Sequence, residues 1–367
     1  MSGHTRRTLM AMGASALSAA CATVPTTMPK TTYDQTRTKV VIDESRIARI
    51  DVGLRPYREI GFRVEAEALD EKLLVHNYGH GGGGVSLSWG TAQMAVDLGF
   101  RPNVSEYVVL GAGVVGLSTA ILLLDRGAEV RIITRDPVNQ TTSNVAGAQW
   151  WPASVFSRSK IADGYLDRHV EASRLAHLKF QSLVGPNYGI RWEPNYIFAN
   201  RPISGQPAGV RDPMRQFAIN QYDLAPGEHP FGSQYVRRFD TMMIETPHYL
   251  RRLERDFREK GGRFDFADLK GRGDIAQLSE DVIFNCTGLG AGKLVGDNII
   301  QPVRGQLVVL RPQDEIDYNV ITPGAFYMFG RRDGIILGGT FQKDNWSLEP
   351  STRDTARIIA GHKKLFA

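Results

Sequence analysis

Between Tyr107 and Trp151 short apolar runs and glycine breaks follow one another in an order that predicts strand, turn, helix and strand. Tyr107 to Leu110 is an apolar run, Leu117, Ala120, Ile121 and Leu124 recur at helical intervals, and Gly127 stops the helix. Leu73 to Val75 predicts another strand, and Thr91 to Leu98 a helix with Gly99 as its stop. TPHYLRRLERDFREKGG predicts a helix with Thr246 as N-cap, Pro247 in its first turn, a buried stripe of Tyr249, Leu250, Leu253 and Phe257, and Gly261-Gly262 as its end. The strands RFDFA and DVIFNCTG follow, with Cys286 read as core. Strands alternating with helices imply an α/β fold with a parallel sheet. From 152 to 245 the pattern is weakest, with Trp192, Tyr196 and Tyr222 set between proline and glycine turns.

The turn after Leu110 carries candidate chemistry. Gly111, Gly113 and Gly116, with Val114 and Val115 between them, have the G-x-G-x-x-G spacing of a dinucleotide site, in which a pyrophosphate rests on a helix N-terminus. At the end of the second strand Arg135 and Asp136 stand where a ribose hydroxyl would be held, Asp136 being the available carboxylate. NAD and FAD both satisfy this pattern. Gly79 to Gly84 also lies between a strand and a helix, as an anion-binding or ring-contacting turn would. Thr287-Gly288 ends a strand, the place where open α/β sheets bind ligands.

The 367 residues are 42% hydrophobic, without an apolar run of membrane-spanning length, enough for two domains and no stable membrane span. A net charge of +5 is too mild to argue for nucleic acid. Residues 1–22 contain Arg6-Arg7, a small-residue apolar stretch and Ala20-Cys21-Ala22, the layout of a twin-arginine export signal. Export to the periplasm is expected, with lipidation of Cys21 as a lesser alternative. Residues 23–45 read as a linker. No metal site is expected.

Several motifs resemble the D-amino-acid oxidase family of flavoenzymes. TTSNVAGAQWWP resembles the segment after the family's second strand, and GGTFQKDNW a motif near the family's substrate strand. GLRP and HNYGHGG resemble elements that the family carries after its dinucleotide motif, whereas here they precede it. The resemblance therefore implies a circular permutation: a Rossmann-like FAD-binding domain plus a mixed-sheet substrate domain, in permuted order. Its segments would be 46–70 (substrate domain), 71–151 (FAD-binding), 152–245 (substrate), 246–300 (FAD-binding) and 301–367 (substrate). Joining neighbouring termini and opening a surface loop leaves packing intact.

The resemblance implies FAD as cofactor. Thr141 and Thr142 would lie near its phosphates, and Gly147, Ala148, Gln149, Gly83, Gly84, Val85, Ser86, Thr287 and Gly288 near the rest of it. Arg55 and Tyr327 would anchor a substrate carboxylate and the Gly82 carbonyl its amine, with a D-amino acid and dioxygen as reactants. His76 and His80 match the motif but are assigned no chemistry, and Arg304 is left between structural and active-site roles. The sequence departs from the family at Pro323, where a second tyrosine is expected, and at Trp151, where some members have glutamine. Alternatives are a glycine- or sarcosine-type oxidase, a dehydrogenase with another acceptor, and a non-catalytic flavin-binding protein. A homodimer is left open.

Overall fold

Two sheets divide the chain. They are described from a computed structural model covering residues 34–203, 212–233, 235–322, 324 and 326–366. In chain order the elements begin with β1 (Ile47–Arg58), β2 (Arg63–Leu69), β3 (Lys72–Tyr78), α1 (Gly84–Gly99), β4 (Glu106–Leu110), α2 (Val114–Asp125) and β5 (Glu129–Thr134). After α3 (Tyr165–Ser182) come β6 (Ile190–Ala199), β7 (Ile219–Leu224), β8 (Tyr235–Ile244), α4 (Thr246–Glu259), β9 (Arg263–Phe266), α5 (Arg272–Ala276), β10 (Val282–Asn285) and α6 (Gly290–Val295). The last are β11 (Ile300–Leu310), β12 (Asn319–Ile321), β13 (Tyr327–Arg331), β14 (Gly334–Gly338), β15 (Gln342–Lys343) and α7 (Thr352–Phe366).

The smaller sheet has the order β2-β3-β10-β4-β5-β9, parallel from β3 to β9 with β2 antiparallel at one edge. Its strands are apolar on both faces because both are covered. Val75, Val109, Ile132 and Phe284 pack under α1 to α4, while Leu74, Val108, Leu110 and Ile283 pack on Ile275 of α5 and Leu294 of α6. Helix α4 buries Tyr249, Leu250, Leu253 and Phe257 as its pattern predicts, each contributing about 1.5–3 kcal/mol.

The larger sheet runs β1-β11-β14-β13-β12-β6-β8-β7, with β15 also pairing β11. Its residues alternate between two cores. Val308, Leu310, Met328, Ile335 and Leu337 face Ile358 and Ile359 of α7, and Leu307, Val309, Phe329 and Ile336 face the other way, with Tyr327 packed beside them. This second face looks toward the 141–149 segment.

The structure corrects five sequence expectations. Helix α1 begins at Gly84 and not near Thr91; buried on nearly every side, its first turns show no polar face to give a period. Thr246 is the first residue of α4 and not its cap, because its hydroxyl is spent on the Ala146 and Asn144 carbonyls. The change of sheet falls between β1 and β2 and not after Asp70, since β2 pairs with β3. Within 152–245, α3 packs against α1 on the smaller sheet, and β6 to β8 alone join the larger one. From Asp34 onward the expected linker is packed: Tyr196 and Tyr222 donate to the buried Asp34 carboxylate, Val40 lies in the core, and Tyr318 donates to the Thr38 carbonyl. The expected export signal lies outside the described residues.

Candidate active site

The C-terminal ends of the parallel strands gather the glycine turns. Gly111 has φ 99°, and a Cβ there would stand 2.7 Å from the Cys286 carbonyl oxygen, so β10 and the Thr287-Gly288 turn lie directly on it. A Cβ on Gly116 would come 1.9 Å from the Gly111 carbonyl, so only glycine allows helix and strand this close. Gly113 caps α2, whose first turn has no acidic residue, and Val114 N–H donates to Ser143 Oγ at 3.1 Å. The helix N-terminus thus offers partial positive charge to an anion. Ser143 was missed by sequence reasoning, which favoured Thr141 and Thr142. The Thr141 hydroxyl donates to Val138 O, and the Thr142 methyl lies toward Gly53. Arg135 and Asp136 pair with each other at 2.6 Å at the exposed end of β5.

Strand β1 is where the other segments meet. A Cβ on Gly53 would stand 2.9 Å from Val145, Gly288 lies 3.8 Å from Pro56 by the same measure, and Tyr57 bridges His80. The bridge carries Gly81–Gly83 beside the strand that bears Arg55. Gly82 N–H donates to Ser154 O at 3.0 Å, and Gly83 abuts Val155, so the main chain after Trp151 rests on these glycines. Ser86 sits in the first turn of α1, donating to Gly83 O, with Val85 buried beside it.

Arg55 and Tyr327 share one face of the larger sheet. Gly53 pairs with Gly305, two residues from Leu307, and Tyr327 pairs with Gly338. The β11–β14 ladder ends at Val308 and Leu337, beside which Gly305 and Gly338 lie on neighbouring strands. Each glycine is a floor. A Cβ on Gly305 would collide with the Arg55 guanidinium at 2.4 Å, and one on Gly338 with the Tyr327 ring at 2.0 Å. Arg55 is half-buried, and its one acceptor among the described residues is the Thr340 carbonyl at 3.3 Å. A guanidinium without a carboxylate partner suits an incoming carboxylate. The Tyr327 hydroxyl likewise has no partner among the described residues, while its ring stacks on Phe329 with centroids 4.8 Å apart.

The segment 147–149 lies over the same face. Gly147 approaches Phe329 and Tyr327, and Ala148 has φ 60°, a left-handed conformation costing an alanine about 1–2 kcal/mol. Both polar atoms of the buried Gln149 carboxamide lack partners among the described residues. Buried amides are ordinarily paired, so an orphaned one beside a glycine cradle fits a polar ring such as flavin.

Other candidates take structural roles. Arg304 is buried and bonds Asp354, Gln342, Gln306 and the Ser347 and Glu349 carbonyls, which settles it as a fastener. Burial pushes His80 down to about 3 and His76 to about 4; neutral His80 bonds Thr91 at 2.9 Å. Burial pushes the Cys286 thiol up to about 12, which keeps it unreactive. Trp151 is half-buried against Phe239, and Pro323 lies outside the described residues.

Comparison with known proteins agrees with this geometry. A family profile described as "DAO: FAD dependent oxidoreductase" matches residues 106–367, beginning at β4 and leaving β1 to α1 outside the match. The chain is 31% identical to a D-amino-acid oxidase of Streptomyces coelicolor over 259 residues, 69% of this chain and 75% of that one. It is 29% identical to a D-aspartate oxidase of Homo sapiens over 268 residues, 70% and 75% of the two chains. In fold it is similar to glycine oxidase from Bacillus cereus, with a TM-score of 0.52 at 14% identity over 71% of this chain and 78% of that one. A similar match is L-proline dehydrogenase from P. horikoshii, at 0.51 and 17% over 72% and 78%. With its glycine turn, its orphaned amide and these relatives, the chain belongs to the DAO family of FAD-dependent oxidoreductases.

Proposed function

We propose that the protein oxidises D-amino acids to imino acids, which water splits to 2-oxo acids and ammonia, while dioxygen is reduced to hydrogen peroxide. FAD, when bound, supplies the acceptor for the Cα hydrogen, taken as hydride, and passes both electrons to dioxygen. The chain binds and orients. Arg55 receives the substrate carboxylate as a bidentate pair, the Tyr327 hydroxyl donates to the same group, and the Gly82 carbonyl accepts from the amine. An amine that enters neutral needs no side-chain base, so positioning carries much of the rate. Gly111–Gly116 would hold the pyrophosphate with Thr141 and Thr142 close by, and Arg135 and Asp136 would serve the ribose end. Gly147–Gln149, Gly83–Ser86 and Thr287-Gly288 would line the ring.

What supports this reading is the position of Arg55, on the strand where Val145, Gly288 and His80 converge, with no carboxylate competing for it among the described residues. The preference for the D-isomer follows the names of the relatives. The reading extends to a circular permutation in which residues 100–105 join α1, the family's last helix, to β4, its first strand. It extends also to twin-arginine export.

The purified protein is expected to carry flavin absorbance that bleaches anaerobically with D-alanine or D-aspartate and returns in air with hydrogen peroxide. Bleaching by glycine alone supports a glycine-type oxidase. Return only with a quinone supports a dehydrogenase, and bound flavin that no amino acid bleaches marks a binding protein.

A further inference from the structure

The 144–150 segment is fastened at every second residue. Main chain of β8 holds two of these points: Ile244 N–H donates to Ala148 O at 3.0 Å, and Trp150 N–H donates to Met242 O at 2.7 Å. Side chains hold the other two. The Thr246 hydroxyl stands 2.9 Å from Ala146 O and 3.3 Å from Asn144 O. Arg331, 4% exposed at the end of β13, donates through Nη1 to Ala146 O at 2.8 Å and to the Thr246 hydroxyl at 2.9 Å. Gly147 faces Tyr327 and Phe329 between these points, and the Gln149 amide is left without a partner.

The guanidinium is itself aimed. Nε and Nη2 donate to the two Asp333 oxygens at 2.7 and 2.5 Å, and Glu245 lies 3.8 Å from Nε. Glu245 accepts from Arg332 N–H at 2.9 Å and pairs with Arg191, whose Nη2 donates to Gly330 O at 2.6 Å. The start of α4 and the end of β13 are thus bound to each other and, through Ala146, to the segment over the active face. A planar fork with five donors grips a carboxylate through two parallel N–H groups while a third points at a carbonyl, a fixed geometry that an ammonium does not impose.

We propose that Arg331 and Thr246 are positioning residues, which hold Gly147, Ala148 and Gln149 at the distance from the larger sheet that the flavin ring requires. This rests on the reading that 147–149 lines the ring. Neither residue touches substrate; both act through the Ala146 carbonyl.

The test titrates apoprotein with FAD, following flavin fluorescence and the visible circular dichroism of the bound flavin, beside thermal unfolding of each apoprotein. Thr246→Val keeps shape and removes the hydroxyl, and Arg331→Met removes the fork. Each is expected to raise the Kd for FAD about tenfold or more and to change the flavin dichroism, as loss of a buried charge-assisted bond does. Thr246→Ser is expected to restore the parent's values. Parent Kd and dichroism in both Thr246→Val and Arg331→Met overturn the proposal. So does weakened binding that merely tracks a lower apoprotein melting temperature and is not rescued by Thr246→Ser. Gly147→Val tests the underlying reading separately, because a Cβ there already meets the Phe329 ring at 3.0 Å. Parent affinity in Gly147→Val sinks the lining role. Its loss beside unaffected Thr246→Val and Arg331→Met sinks the clamp alone.

Discussion

In the smaller sheet glycine makes room at the ends of strands; in the larger sheet it makes room on the face. Gly111 and Gly116 let main chain approach main chain, so the space they create is bounded by N–H and C=O groups and suits a phosphate whatever the neighbouring side chains are. Gly305 and Gly338 let an arginine and a tyrosine lie flat, so the space they create is bounded by side chains. On the function proposed above, cofactor binding is built into the backbone and substrate choice into what rests upon it.

The largest expected effect breaks the backbone half. Gly116→Val puts a side chain 1.9 Å from the Gly111 carbonyl, and purified protein is expected to contain no flavin. A yellow Gly116→Val protein would show that the turn is not the nucleotide site. The next effect bears on the side-chain half, and it separates presence from placement. Arg55→Ala removes two charge-assisted bonds of about 1.5–3 kcal/mol each, so kcat/KM is expected to fall by roughly 100-fold or more, mainly through KM. Gly305→Ala keeps the arginine but displaces its guanidinium, and a loss of about tenfold with FAD affinity unchanged is expected. Equal kinetics in Gly305→Ala and parent would mean that the glycine floor does not set the position of Arg55.

The smallest effect is a difference in how the two sheets answer to acid. Burial holds His76 of the smaller sheet and His80 in the turn that follows β3 at about 4 and 3, below their ordinary 6.5, so their contribution to stability is present above pH 6.5 and lost as pH falls toward those values. Glu193 of the larger sheet is pushed by burial, despite its pairing with Arg191, from 4.5 to about 7, so its contribution is full below pH 4.5 and lost as pH rises through 7. Urea midpoints measured across pH are expected to fall on both sides of a maximum in mild acid. Glu193→Gln should flatten the limb between pH 5 and 7 and leave the acid limb in place. An unchanged upper limb would remove Glu193 as its source.

The same contrast explains what could be read in advance. The turn at Gly111–Gly116 is local: strand, glycines and helix are contiguous, so spacing alone reveals them. Arg55 and Tyr327 were reachable through motif resemblance, but their floor was not. Gly305 and Gly338 come together through the register of β11 on β14, which no local pattern encodes. Thr246 misled because a threonine before a helical stripe normally caps it, and here tertiary carbonyls claim the hydroxyl. No local pattern marks Arg331, whose burial depends on the Asp333 and Ala146 contacts that the fold supplies. The segment from Asp34 read as a linker because it is polar, yet Asp34 is buried by two phenols from strands much later in the chain.

The pairing of β1 with β11 also governs how the protein must come into being. Among the described residues β1 is the first strand made, and its hydrogen-bonding partner is made only after the turns at Gly111–Gly116 and Gly288, so a nascent chain carries an unpaired edge for most of its synthesis. Closing a contact that long delays folding until late. Arg55 therefore takes up its place only when nearly the whole polypeptide is available, and ribosome-bound fragments ending before β11 are expected to need a chaperone to shield that edge.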